Sequence, residues 1–213
     1  MGLLELPQEI RDEILSYALA DPSKQKVVVG YKSIMDRKES HTLPALCFVS
    51  KQLRADCLPI FYSINTFLID TRNLECFLVA EKWLLAIGET GLKSLRHLEV
   101  ESLSRVELGS KLFIHVYFDL KEGAARHYYH QGDIRIAGIL FDRLQAWMQH
   151  FRESVKSRGG APFSMEQLED LLLDFHDLCQ NGQFRDVDTR LPRQMLDVPQ
   201  PEAAKRHDAG KRR

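Results

Sequence analysis

The densest group of side chains able to move a proton, hold a metal or stack on a base is Arg126-His127-Tyr128-Tyr129-His130. Imidazoles titrate near neutrality and ligate zinc, and aromatic rings offer stacking platforms. His127 and His130, three apart, would face alike only on a helix, and no nearby acid completes a ligand set, so the segment reads as a loop. On a later acidic stretch Asp174, His176 and Asp177 cannot all point the same way, and Glu166, Glu169 and Asp170 read as a solvated face. The sequence carries no G-x-G-x-x-G, no G-x-x-x-x-G-K-[ST], no H-E-x-x-H and no G-x-S-x-G. Gly88-Glu89-Thr90-Gly91 is too short for a phosphate loop and lacks its lysine. Catalysis has no visible anchor. The expectation is a protein that is not an enzyme and has no catalytic residues, metal or cofactor; a small enzyme built on residues 127–130 is the distant rival.

The bulk composition excludes a wholly disordered chain, a coiled-coil rod and a low-complexity fibre but does not say what the protein does. With 213 residues, 44% of them hydrophobic and 28% charged, the chain can build one substantial core without disulfides or metals. Its 29 basic and 30 acidic residues nearly cancel, so no global field draws it to nucleic acid or an anionic membrane. The basic end, Lys205-Arg206 and Lys211-Arg212-Arg213, reads as a solvated terminus. The opening Met1-Gly2-Leu3-Leu4-Glu5-Leu6-Pro7 lacks the basic start of a signal peptide, and the run Trp83-Leu84-Leu85-Ala86-Ile87 is far short of the ~20 residues that span a bilayer. Cys47, Cys57, Cys76 and Cys179 form no C-x-x-C pair and read as reduced, buried small hydrophobes. The expected location is cytoplasmic or nuclear.

Periodicity then supplies the elements. Ile10, Ile14, Leu15, Ala18 and Leu19 predict a first helix over about 7–19, with Pro7 in its first turn. Residues 25–29 read as a short strand. Thr42 is a candidate cap for a second helix with Pro44 near its start and Leu46, Val49, Leu53 and Cys57 along one side, bent or restarted at Pro59. Strands follow over 65–69 and 95–100, separated by a helix that Asn73 caps and Gly88 stops, its stripe running through Phe77, Leu78, Leu84, Leu85 and Ile87. Strand, helix, strand implies a parallel crossover. Leu112, Ile114, Val116, Phe118 and Leu120 alternate with Phe113, His115, Tyr117 and Asp119 as in a strand with one dry face. After a polar break at Gly123 and Gly132 comes a long helix over about 140–155, ended by Gly159 and Gly160. A last helix begins at the capping-box spacing Ser164, Gln167 and ends at Asn181-Gly182.

The stretch Leu4-x-Leu6-Pro7-x-Glu9-Ile10-Arg11-x-x-Ile14-Leu15, followed by Leu46-x-x-Val49-Ser50-Lys51-Gln52-x-Arg54, resembles the F-box in the divergent form common in fungal proteins. The extension Leu58-Pro59-Ile60-Phe61-Tyr62-Ser63-x-Asn65-Thr66-Phe67 is similar to fungal F-box-like and two-EXR (paired Glu-x-Arg) proteins. The resemblance covers residues 3 to about 70. It departs from the pattern in the long insertion 21–42, in Leu53 where a Trp is usual, and in Gln52-Leu53-Arg54 where the second Glu-x-Arg would stand.

The resemblance, joined to the periodicity of the residues beyond it, implies an α+β protein in three parts. An F-box-like helical segment, 1–70, leads into a small mixed sheet flanked by helices, 66–182, packed with it as one domain; a disordered basic tail, 183–213, follows. It implies a non-catalytic interaction protein, the substrate receptor of a cullin-type ubiquitin ligase, with a Skp-type adaptor and an unknown protein substrate as partners and neither nucleic acid nor membrane. Transferred position by position, the adaptor contacts are Leu6, Pro7, Ile10, Ile14, Leu46, Val49 and Ser50, while Glu9, Arg11 and Arg54 read as architectural. The alternative is a scaffold whose F-box-like stripe is buried against its own sheet, with no adaptor bound.

Overall fold

The computed structural model describes residues 2–20, 26–29, 43–105, 111–130 and 138–181. Alternation is strongest over 112–120, and there it builds the middle of a sheet. β4 (Lys111–Asp119) turns Leu112, Ile114, Val116 and Phe118 to one face, all buried. β3 (His97–Arg105) pairs with it antiparallel, setting Leu98 beside Phe118 and Val100 beside Val116. β2 (Thr66–Asp70) and β1 (Val27–Val29) add in parallel on one side, β5 (Ala125–His130) antiparallel on the other, and the order is β1-β2-β3-β4-β5. The sheet is mixed: α2 carries the chain from β1 to a parallel β2 and α3 from β2 to a parallel β3, and the remaining pairs are antiparallel.

Among the described residues five α-helices accompany it: α1 (Gln8–Leu19), α2 (Lys51–Ile64), α3 (Leu74–Ser94), α4 (Gly138–Ser157) and α5 (Met165–Asn181). They share one hydrophobic core with the Leu98–Phe118 face of the sheet, reaching from Leu15 of α1 to Cys179 of α5. Aromatic rings join the layers: Phe67 lies 5.3 Å from Trp83, Phe118 5.3 Å from Trp147, and Trp147 5.2 Å from Phe175. The capping box at α5 forms as its spacing predicts, Gln167 N donating to Ser164 Oγ at 3.2 Å and Ser164 N to Gln167 Oε1 at 3.0 Å. Gly159 and Gly160 follow α4 at φ 59° and 88°, a backbone that side-chain-bearing residues avoid. Among the described residues no helix is long and apolar enough to cross a membrane. All four cysteines are free; three are buried and Cys76 is half-buried.

Four local expectations are corrected. Residues 45–48 form a 3-10 turn, and α2 begins only at Lys51, because Ser50 rather than Thr42 supplies the capping oxygen. α2 runs through Pro59 to Ile64, its packing outweighing the one backbone bond that proline removes. Gly88 does end the first helical segment of α3, its φ of 63° breaking the path before a second segment runs on to Ser94, but Leu78 and Leu85 of the expected stripe face outward rather than into the core. Residues 127–130 are not a loop but lie in β5, paired with Phe113–Val116. Thr42, Gly132, most of the insertion 21–42 and the tail 183–213 lie outside the described residues.

Candidate protein-docking site

α1 carries two apolar rows. At about 100° per residue, positions four and seven apart return to one side. Leu15 and Leu19 form the row that enters the core, 0% and 5% exposed. Ile10, Ile14 and Tyr17 form the other and stay at the surface, 45%, 41% and 79% exposed. Of the six apolar side chains of this helix only Leu15 and Leu19 are buried in its own interior.

Arg11 holds this helix in place. Its Nη1 donates to the carbonyl of Leu6 at 2.9 Å and to that of Leu4 at 3.4 Å, fastening the 3-10 turn Leu3–Glu5 onto α1. Its Nε lies 3.4 Å from Oδ2 of Asp56 on α2, both side chains mostly buried; the contact is an ion pair without hydrogen-bond alignment. At the far end Asn65 Nδ2 donates to the carbonyls of Leu19 and Phe61, each at 3.0 Å, tying the last turn of α1 to that of α2. Arg11, from the Glu-x-Arg, and Asn65, from the Asn-Thr-Phe extension, are thus bound to the placement of α1. Glu9 and Arg54 are exposed.

The second half of the resemblance sits on the other side of α2's start. In the turn 45–48, Cys47 is buried and Leu46 half-buried against the core, while Phe48 and Val49 are 68% and 67% exposed. Beside it, burial pushes the Cys57 thiol up to about 11, as befits an unreactive interior group. Ser50 is half-buried, and its Oγ accepts from Leu53 N at 3.1 Å. A cap of this kind contributes about 1 kcal/mol, so Ser50→Ala is expected to lower stability by about that amount in urea unfolding. An unchanged midpoint would show that the cap carries no weight.

Of the seven candidate contacts, Pro7, Ile10, Ile14 and Val49 are exposed, and Leu6, Leu46 and Ser50 are half-buried. Sequence reasoning passed over Tyr17 and Phe48. Tyr17 was legible as the next member of the row Ile10, Ile14; Phe48 was not, because the 3-10 turn that turns it outward has no helical period.

The residues with the greatest chemical potential gather elsewhere, on the sheet face opposite the core. Glu99 of β3, 2% exposed, accepts from Lys26 Nζ at 2.5 Å, pairs with His115 Nδ1 at 3.1 Å and accepts from the Tyr128 hydroxyl. Tyr128 stacks on His115 with ring centroids 4.6 Å apart, and Lys26 Nζ reaches the same hydroxyl at 2.7 Å. Burial alone would raise the Glu99 carboxyl, but the hydrogen bonds from His115, Lys26 and Tyr128 outweigh it and hold the group at about 2. A carboxylate so acidic and so fully engaged is a poor base at neutral pH. His127 points to the opposite face, as strand alternation demands, where its ring meets Tyr129 and Phe141 and burial lowers its pKa. The strand therefore sends His127 and Tyr128 to opposite faces of the sheet. Among the described residues no group of three or more His, Cys, Asp or Glu could hold a metal ion.

What the geometry offers is a pair of exposed apolar patches, on α1 and on the turn at 45–48, both resting on α2. Comparison of the chain with family models, with curated proteins and with solved structures finds no match.

Proposed function

We propose that the protein is a non-catalytic interaction protein that docks a Skp-type adaptor of a cullin-type ubiquitin ligase and holds a protein substrate on the rest of its body. The carrying observation is the second apolar row of α1: Ile10 and Ile14 are exposed while their neighbours Leu15 and Leu19 supply the core contact. A scaffold that consumed its own stripe would leave no such row. Fully burying an exposed large aliphatic side chain stabilises by about 1.5–3 kcal/mol; Leu6, Ile10, Ile14 and Val49 are already partly covered, so together they contribute about 3–5 kcal/mol to a contact, before association costs. Arg11 and Asn65 hold the row at a fixed angle, which spares the interface the cost of ordering it.

The test is binding of purified Skp-type adaptor to the full chain by calorimetry. Wild type is expected to bind, and Leu6→Asp combined with Ile10→Asp to weaken binding by about a hundredfold or more, with the far-UV circular dichroism unchanged, since two buried contacts are lost and two charges are placed against an apolar surface. If wild type does not bind, the ligase role is gone.

A further inference from the structure

α3 also carries more apolar surface than its own core uses. Up to Gly88, Phe77, Ala80, Trp83 and Leu84 face the interior, yet Leu74, Leu78 and Leu85 remain 63%, 44% and 64% exposed. With Glu81 between them, positions 74, 78, 81 and 85 follow the four-three-four spacing of a coiled-coil seam. The seam starts in the first turn after Asn73, whose side chain accepts from Cys76 N, and stops where the φ of 63° at Gly88 redirects the chain.

We propose that this row is a homotypic interface, through which two copies of the chain pair by packing α3 against α3 in antiparallel orientation about a twofold axis. The flanks of the seam carry the argument. One flank, Phe77 and Leu84, is sunk in the chain's own core. A parallel pair sets one flank of each helix against the opposite flank of its mate, and would need that buried side. In an antiparallel pair each flank meets its own counterpart, so the exposed flank, Glu75 and Lys82, is the one that must match itself. Glu89 lies beyond the break and stands 3.5 Å from Lys93 of its own helix.

Only one register makes that match. Setting Leu74 over Leu85 of the second copy brings Glu75 opposite Lys82 twice, once on each side of the axis. Setting Leu74 over Leu78 of the second copy stacks Glu75 on Glu75, and setting Leu85 over Glu81 stacks Lys82 on Lys82. Opposite charges favour the first register and like charges oppose its neighbours. A row whose charge pattern complements itself at one register fits a second copy of this chain, the closed twofold contact typical of soluble homodimers. Glu81 interrupts the seam, and two heptads bury less surface than a standard interface, so the dimer is weak, with Kd on the order of 10–100 μM.

Sedimentation equilibrium of the full chain tests this. Wild type is expected to show a monomer–dimer equilibrium in that range. Leu85→Asp abolishes it. Glu75→Lys and Lys82→Glu each weaken it roughly fivefold or more, because two attractive contacts become repulsive, and the double reversal Glu75→Lys with Lys82→Glu restores it. Glu81→Leu tightens it about tenfold or more by completing the seam. Glu75, Lys82 and Leu85 are exposed and Glu81 is half-buried, none in the core, so circular dichroism should stay constant across the set. A chain that is monomeric at about 500 μM, well above the expected Kd, overturns the proposal. So does a dimer indifferent to Leu85→Asp, or one that the double reversal fails to rescue.

Discussion

Leu15→Ala is expected to lower the free energy of unfolding by about 3 kcal/mol, whereas Ile14→Asp, one residue earlier, changes it by no more than about 1 kcal/mol. The difference follows from where the two side chains end. Leu15 is 0% exposed and belongs to the core shared by α1 and the sheet, so its truncation removes transfer free energy and leaves a cavity that close-packed neighbours cannot fill. Ile14 is 41% exposed, and aspartate there loses little more than helix propensity. Urea unfolding of both variants measures the pair directly. Their functional order should be the reverse: Ile14→Asp keeps the fold and loses the adaptor, while Leu15→Ala, once folded, retains it. Equal stability losses for the two variants would mean that α1 has no outward row, and the docking proposal would lose its footing.

The second large effect belongs to Glu99. Its carboxyl is held at about 2 against an ordinary value of 4.5, and the donors responsible come from β4, from β5 and from Lys26 at the start of β1. The depressed folded-state pKa means that this stabilisation is fully present above the unfolded value and is lost as pH falls through the folded one. Two and a half units correspond to about 3 kcal/mol. Lys26 is more than a third exposed and solvent screens its share, so Glu99→Gln is expected to cost about 2 kcal/mol at pH 7. The gap between wild type and variant should close between about pH 4.5 and pH 2, as the wild-type carboxylate takes up its proton. Comparing the two proteins at each pH cancels the other depressed carboxyl, Asp119, which burial would raise but which the backbone amides of Glu122 and Lys121 and the Arg96 guanidinium hold down. A gap that stays constant from pH 7 to about pH 2 would show that the network holds no ionised carboxylate.

The elements best seen in the sequence were those whose signals are local and redundant. α4 has an apolar period ended by two glycines, α5 a reciprocal cap, and β4 an uninterrupted alternation; each stands where its pattern puts it. The elements misjudged were those decided by a neighbour. Thr42 and Ser50 both offer a capping hydroxyl, and the preference for Ser50 comes from burial of Cys47, Leu53 and Cys57 around α2. Residues 125–130 have no aliphatic alternation of their own and become a strand by pairing with β4. In α1 the sequence has six apolar positions between residues 10 and 19, and periodicity alone cannot assign Ile14 and Leu15 to different sides. That division is made by Asn65 and Arg11, which set the angle of the helix on α2 from far along the chain and from its own first turns.

The parallel pairing of β1 with β2 bears on how the opening third can be handled. The chain leaves α1, contributes Val27–Val29 to the sheet edge, crosses through α2 and returns beside itself as Val27 to Phe67, Val28 to Leu68 and Val29 to Ile69. All of β2, Thr66 to Asp70, then pairs onward with His97 to Glu101. A fragment cut near residue 70 would therefore keep both apolar patches yet forfeit β3, the partner of β2, and α3 with its Trp83, leaving a bare parallel edge and an unlidded Phe67. Grafting the first seventy residues onto another protein would carry the letters of the resemblance without its shape; any transplant has to extend at least through β4.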